Sequence, residues 1–332
     1  MAAIVPKHIP AMVIEVRAGL AVRANYRIID VTEGYGGHTA ALAEDLGPGG
    51  RILGIDRDAT AIEASRQRFA NDPRIKIVKA RISQLGGVID NNREFLNISD
   101  EAAGGAVDAV LFDLGVSSPQ LDDPLRGFSF KKDGLLDLRM SPSESGPTAA
   151  DLVNKLPENQ LADILYQFGE EHASRRVARA IVTARARKPI TTTLELAEIV
   201  KSAVPFSKAD AGRIHPATRT FQALRIAVNS ELDELEKGLS VAIARLAPGG
   251  RVAVLAYHSL EDRIVKLQFK DAAARDYQIL TKKPVTPGAA EIADNPRSRS
   301  AKLRILERNA DGAPKTKNKY ANKSSSRSEV RP

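Results

Sequence analysis

The stretch from Tyr26 to His38 restricts the fold more than any other. Tyr26-Arg27-Ile28-Ile29-Asp30 is a short apolar run of strand character, Val31-Thr32-Glu33-Gly34-Tyr35-Gly36-Gly37-His38 is a glycine-rich turn, and Thr39 to Asp45 reads as a helix. That order suits a nucleotide-like cofactor. Glycine lets the backbone pass a ligand with no Cβ in the way, and the N–H groups of the next helix point toward it. A second strand, Arg51-Ile52-Leu53-Gly54-Ile55-Asp56, ends in a carboxylate about 20 residues further on, where a ribose-binding acid belongs. The turn alone is also what any loop with positive φ needs, so the reading rests on turn and acid together.

The alternation continues along the chain. Ala59 to Ala70 reads as a helix and Arg74 to Lys79 as a third strand, so the crossovers are right-handed and the sheet parallel. Ahead of them, Ala11 to Leu20 puts Met12, Val16 and Leu20 on one helical face. Val107 to Val116 is the fourth strand and its exit. Ligands of doubly wound sheets bind beyond the carboxyl ends of strands, which is where Asp30, Asp56 and Asp113 all fall. The Gly-, Pro- and Ser-rich stretch from Ser117 to Phe130 is then a loop at a strand end.

Residues 134–214 read as almost wholly helical with breaks at Pro142, Pro147, Pro157, Pro189 and Pro205, too long for a simple crossover, and predict an inserted subdomain. Phe221 to Leu246 reads as one helix and Arg251 to Ser259 as a fifth strand. Tyr277 to Leu280 and Lys302 to Leu306 close the sheet as an antiparallel pair, with a long loop at 282–300 between them. The chain divides into a first part of the sheet domain at 1–133, a helical insert at 134–214, a second part at 215–308 and a basic tail at 309–332. Seven strands ending in a hairpin differ from the six parallel strands of a dinucleotide-binding dehydrogenase. The pattern suggests an α/β fold of the class I S-adenosylmethionine-dependent methyltransferase type: a Rossmann-like seven-stranded sheet with an inserted helical subdomain.

Composition narrows the chemistry. The 332 residues include no cysteine, which excludes disulfides, cysteine-ligated zinc and thiol nucleophiles. Five histidines without HxxxH spacing predict no metal site. No run approaches the ~18 apolar residues of a membrane span, and the N-terminus has no secretory pattern, so a soluble cytoplasmic protein is expected. The net charge of +8 makes polyanions plausible partners. Positions 309–332 hold +4 of it in a Ser/Asn/Lys-rich stretch expected to be disordered.

Several longer motifs carry a resemblance. They are His8-Ile9-Pro10, Asp30-Val31-Thr32 with Gly34 and Gly36-Gly37-His38, Gly54-Ile55-Asp56-Arg57-Asp58, Phe112 to Asp123, Arg126 to Phe130, Phe168 to Glu171, His215 to Arg225, His258 to Arg263 and Asn295 to Arg304. Together they resemble the RsmH (MraW) family of bacterial 16S rRNA cytosine-N4 methyltransferases from His8 to about Arg308. The resemblance implies S-adenosylmethionine as methyl donor, bound by Gly36, Gly37 and His38, by Asp56 at the ribose, by Ile82 beside the adenine, and by Asp113 and Gln120. It implies 16S rRNA within the 30S subunit as partner, with a target cytidine in the decoding region, and is compatible with a homodimer. The family usually has Phe where Ile82 stands, so plain apolar contact replaces stacking. Ala256-Tyr257 stands where Ser-Phe is usual before His258.

Methyl transfer from a sulfonium is an in-line displacement that needs no metal, only alignment and exclusion of water. Cytosine's exocyclic amine is a poor nucleophile because its lone pair is delocalised, so an acceptor for its protons favours attack. Asp113, Ser118 and His258 are the candidate catalytic residues, although Asp113 reads equally as a cofactor ligand and His258 as a structural hydrogen-bonding residue. Phe128 and Phe130 are candidates for holding an unstacked base, with a core role as the alternative. Arg175, Arg176, Arg179 and Arg187 share a helical face that suits phosphates or, equally, solvent with pairing to Glu170 and Glu171. Glu261, Asp262 and Arg263 predict an internal ion network. The competing functions are an NAD-dependent dehydrogenase, a catalytically impaired ribosome-assembly factor, and a methyltransferase acting on protein or DNA.

Overall fold

The computed structural model describes residues 9–99, 107–204 and 215–310. His8 and the basic tail from 311 lie outside them. In chain order the elements are α1 (Val13–Leu20), β1 (Arg27–Asp30), α2 (Gly37–Ala43), β2 (Arg51–Asp56), α3 (Ala59–Arg68), β3 (Ile75–Lys79), α4 (Leu85–Asp90) and β4 (Val107–Asp113). There follow α5 (Ser118–Asp122), α6 (Ala149–Lys155), α7 (Glu158–Gly169), α8 (Ser174–Arg185), α9 (Thr193–Ala203), α10 (Ala217–Asn229) and α11 (Glu231–Arg245). The chain then forms β5 (Leu246–Ala256), α12 (Ser259–Ala273), β6 (Tyr277–Ile279), α13 (Ala289–Asp294) and β7 (Lys302–Arg308). Two compact units result: a sheet unit of Ile9–Asp56, Thr60–Gly115 and the chain from Leu235, and a helical unit of Val116–Glu234 with Arg57–Ala59.

The sheet order is β3-β2-β1-β4-β5-β7-β6. The first five strands in that order are parallel, and β7 runs antiparallel to both β5 and β6. This is the class I methyltransferase arrangement, and the antiparallel β7 separates it from an all-parallel dehydrogenase sheet. Successive strand residues point to opposite faces, and both faces are buried. Ile29, Leu53, Val110, Phe112, Val252 and Val254 meet α4, α12 and the part of α11 from Leu235. Ile28, Ile52, Ala109, Leu111, Ala253 and Leu255 meet α1, α2 and α3. Two apolar faces explain why the strands read as continuous hydrophobic runs.

The helical unit has its own core, built from Leu161 and Leu165 of α7, Val177 and Ile181 of α8, Leu196 and Val200 of α9, and Phe221 and Leu224 of α10. Three expectations need correction. The single helix expected from Phe221 to Leu246 is broken at Ser230, which sits at φ 52. There the Asn229 amide donates to the Leu138 and Arg225 carbonyls (2.7 and 2.9 Å) and accepts from Met140 N (2.7 Å), anchoring the end of α10. Residues 134–148 are not helical: Leu135 bridges to Thr192, Leu136 N donates to Thr191 O (3.0 Å), and α6 starts only after the Thr148 cap. The expected loop 282–300 contains α13 and a short 3-10 turn at Pro296–Ser300.

Candidate active site

Three parallel strands of the sheet unit, β1, β2 and β4, end in Asp30, Asp56 and Asp113. The glycine turn after β1 is stitched to both neighbours, Val31 N donating to Leu111 O (3.0 Å) and Glu33 N to Ile55 O (2.9 Å). Gly34 and Gly36 take φ values of 52 and 75, left-handed backbone that glycine adopts without strain. At Gly36 a Cβ would also strike the Phe69 ring. Gly34 N donates to Asp56 Oδ2 at 2.8 Å, tying the turn to the strand-end acid of β2. Gly37 opens α2, and His38 is buried in its first turn.

Beneath the turn lie two buried carboxyls. Asp30 accepts from Thr32 N (3.1 Å) and Thr39 Oγ1 (3.4 Å). Glu33 accepts from Thr39 Oγ1 (2.5 Å) and from the Ser65 hydroxyl. Burial pushes Asp30 up to about 6; His38 and the Thr32 N–H oppose the rise, and Asp113 and Asp56 add to it. Burial, with Asp30 beside it, holds Glu33 well above the ordinary carboxyl range.

Asp113 is the junction of the site. Its N–H donates to Thr32 Oγ1 (2.6 Å), and its Oδ1 accepts from the Tyr257 hydroxyl (2.7 Å). Its Oδ2 lies 3.3 Å from His38 Nε2, yet that nitrogen makes no aligned hydrogen bond. Burial alone would lower the His38 imidazole; Asp113, Asp30 and Glu291 outweigh it and raise the group above its ordinary value. Ile82 opens a short 3-10 turn and is half-buried against Gly238 of α11.

His258 caps α12. Its Nδ1 accepts from Glu261 N (3.4 Å), while the Glu261 carboxylate accepts from Tyr257 N (2.8 Å) and His258 N (3.2 Å). His258 Nε2 is buried 3.2 Å from Glu261 Oε1 without an aligned hydrogen bond. Of the expected network of Glu261, Asp262 and Arg263, Asp262 pairs with Arg304 (2.6 Å).

Gln120 and Ser118 belong to the helical unit. Gln120 shares a reciprocal cap with Ser117, and its Nε2 donates to Asp58 Oδ2 (2.8 Å), which also holds Arg126 (2.8 Å). Ser118 is the first residue of α5. In the same unit Arg126 lies over the buried Phe128, and the Phe130 ring meets those of His215 (4.8 Å) and Phe221 (4.9 Å). Arg179 pairs with Glu158 (3.4 Å), while Glu171 is buried and caps Ala173 N. Arg175, Arg176 and Arg187 are exposed. The sheet unit thus gathers the turn, His38, Asp56 and Asp113. Sequence reasoning missed Glu33 and Tyr257, which read only as a member of the glycine-rich turn and a family departure. Their one local signal is position, beside Thr32 and His258.

A sequence model of the MraW methylase family matches residues 6–309. The chain belongs to that family. It is 45% identical over 316 residues to the ribosomal RNA small subunit methyltransferase H of Stenotrophomonas maltophilia (strain K279a), covering 91% of this chain and 93% of that protein. With the protein of the same name from Acidobacterium capsulatum it shares 46% identity over 304 residues, 91% of this chain and 98% of the relative. The Methylocella silvestris protein of that name is 48% identical, covering 90% and 86%. For an MraW-family methylase, the dehydrogenase alternative falls away.

Proposed function

We propose that this chain transfers a methyl group from S-adenosylmethionine to the exocyclic N4 amine of a cytidine in the decoding region of 16S rRNA, within the 30S subunit. Family membership and three relatives named ribosomal RNA small subunit methyltransferase H support this reading. The site suits the donor. Left-handed Gly34 and Gly36 give the turn two positions without a Cβ, strand-end carboxylates at Asp56 and Asp113 suit a ribose diol and cationic groups, and His38 Nε2 is a buried polar atom without an aligned partner. Gly36, Gly37, His38, Asp56, Ile82 and Asp113 of the sheet unit would hold the cofactor, and the family resemblance adds Gln120. When bound, it supplies an electrophilic methyl on a sulfonium.

The observation that carries the reading is Asp113. A carboxylate fixed at a strand end accepts a hydrogen bond from the target amine, favours its pyramidal, nucleophilic form, and gives the departing proton a place to go. Ser118 and His258 are assigned as supporting catalytic groups. The proximity of Asp113 to His38 favours a second reading, in which this carboxylate serves the cofactor alone. Single-turnover methyl transfer to undermodified 30S subunits at saturating cofactor separates the two. With Asp113→Ala the rate is expected to fall ~100-fold or more; a wild-type rate leaves only the cofactor role. Among the described residues no helix is long and apolar enough to cross a membrane.

A further inference from the structure

Each Asp113 oxygen faces a different neighbour. Oδ1 takes the Tyr257 hydroxyl at 2.7 Å, and Oδ2 stands 3.3 Å from His38 Nε2 without closing a hydrogen bond. With its backbone N–H fixed on Thr32 Oγ1, the carboxylate keeps only rotation about its own side-chain bonds. Tyr257 is fixed in turn. Its N–H donates to Glu261 Oε2 (2.8 Å), and its ring lies 3.5 Å from where a Cβ on Gly115 would be, a glycine at φ +103. A phenol and an imidazole therefore flank one carboxylate, one at each oxygen.

We propose that Tyr257 is a positioning residue for methyl transfer: its hydroxyl on Oδ1 fixes the rotation of Asp113, so that Oδ2, close to His38 but out of line for a hydrogen bond with it, stays available as an acceptor for an incoming N–H. This rests on the function proposed above and adds to it a residue whose place the family usually fills with Phe. Were the hydroxyl absent, Asp113 would turn toward the imidazole and satisfy both groups by pairing internally. His38 is faced by Asp113 from β4, Asp30 from β1 and Glu291 from α13; Tyr257 is faced by Asp113, Glu261 and Glu291. Burial and the neighbouring Asp113 keep the phenol protonated, and so a donor, well above its ordinary range.

Tyr257→Phe keeps the ring and removes only the donor. The experiment compares it with the wild type by calorimetric S-adenosylmethionine binding, single-turnover transfer to 30S subunits, thermal melting, and NMR titration of the His38 imidazole. The expected result is a loss of ~10-fold in cofactor affinity or transfer rate, an unchanged melting temperature, and a His38 titration about half a pH unit higher. Unchanged affinity and rate, or an unmoved His38 titration, overturns the proposal, as does a loss accounted for entirely by the unfolded fraction. A wild-type protein that neither binds the cofactor nor transfers methyl counts against the proposed function instead, and the His38 titration still decides the role of Tyr257.

Discussion

Asp30 and Glu33 show how a single residue shapes this site. Both carboxyls are buried beneath the glycine turn, where hydroxyl donors satisfy them without supplying a counter-charge. A carboxyl whose folded-state pKa is raised contributes stability in full below its unfolded value and loses it as pH rises through the folded value. For Asp30 that window runs from 3.8 to about 6. Asp30→Asn, which keeps an acceptor for Thr32 N, is therefore expected to gain stability over the wild type across the window. The gap levels off near ~3 kcal/mol, and urea titrations between pH 5 and pH 7 read it. A pH-independent gap would place the charge elsewhere. Asp30, Asp56 and Asp113 were legible because each closes an apolar run, a local pattern. Glu33 and Tyr257 were not, since their partners Ser65 and Asp113 lie 32 and 144 positions away and only folding brings them together.

At the level of elements, strands were easier to read than helix breaks. The parallel strands announce themselves because both faces are buried, whereas one helical period runs through Asn229-Ser230 although the backbone turns there. In hindsight Asn-Ser followed by Glu231 and Asp233 is a stop and a start, a signal that periodicity overrode. Asn229→Ala leaves the Leu138 carbonyl and Met140 N–H without this partner in a buried setting. It is expected to cost about 2–4 kcal/mol in chemical unfolding. Ser230→Gly is expected to stabilise by about 0.5–1 kcal/mol, because φ 52 burdens serine and not glycine. A destabilised glycine variant would show that the left-handed residue carries no strain. The stretch 134–148 misled for a related reason: Leu136 and Leu138 are apolar because they join an irregular segment to the helical core, not because a helix runs there.

On the scale of the whole molecule, the strand order places β1 between β2 and β4, so the ends of these three neighbours form one rim of glycine and carboxylate. The helical unit encloses the 134–214 stretch and extends from Val116 to Glu234 with a core of its own, so Gln120 and Ser118 arise from a different compact body than Asp113. The sheet was legible as a whole because its alternation of strands and helices admits few topologies; the extent of the helical body depends on packing that no local motif encodes. The account as a whole claims that this rim serves transfer of one carbon to a cytosine amine. The most direct measurement incubates the purified protein with methyl-labelled S-adenosylmethionine and 30S subunits lacking the modification, then separates the nucleosides of the 16S rRNA. The account predicts label in N4-methylcytidine at one position in the decoding region. Label on a ring carbon, on another base or on protein, or no label at all, would contradict it.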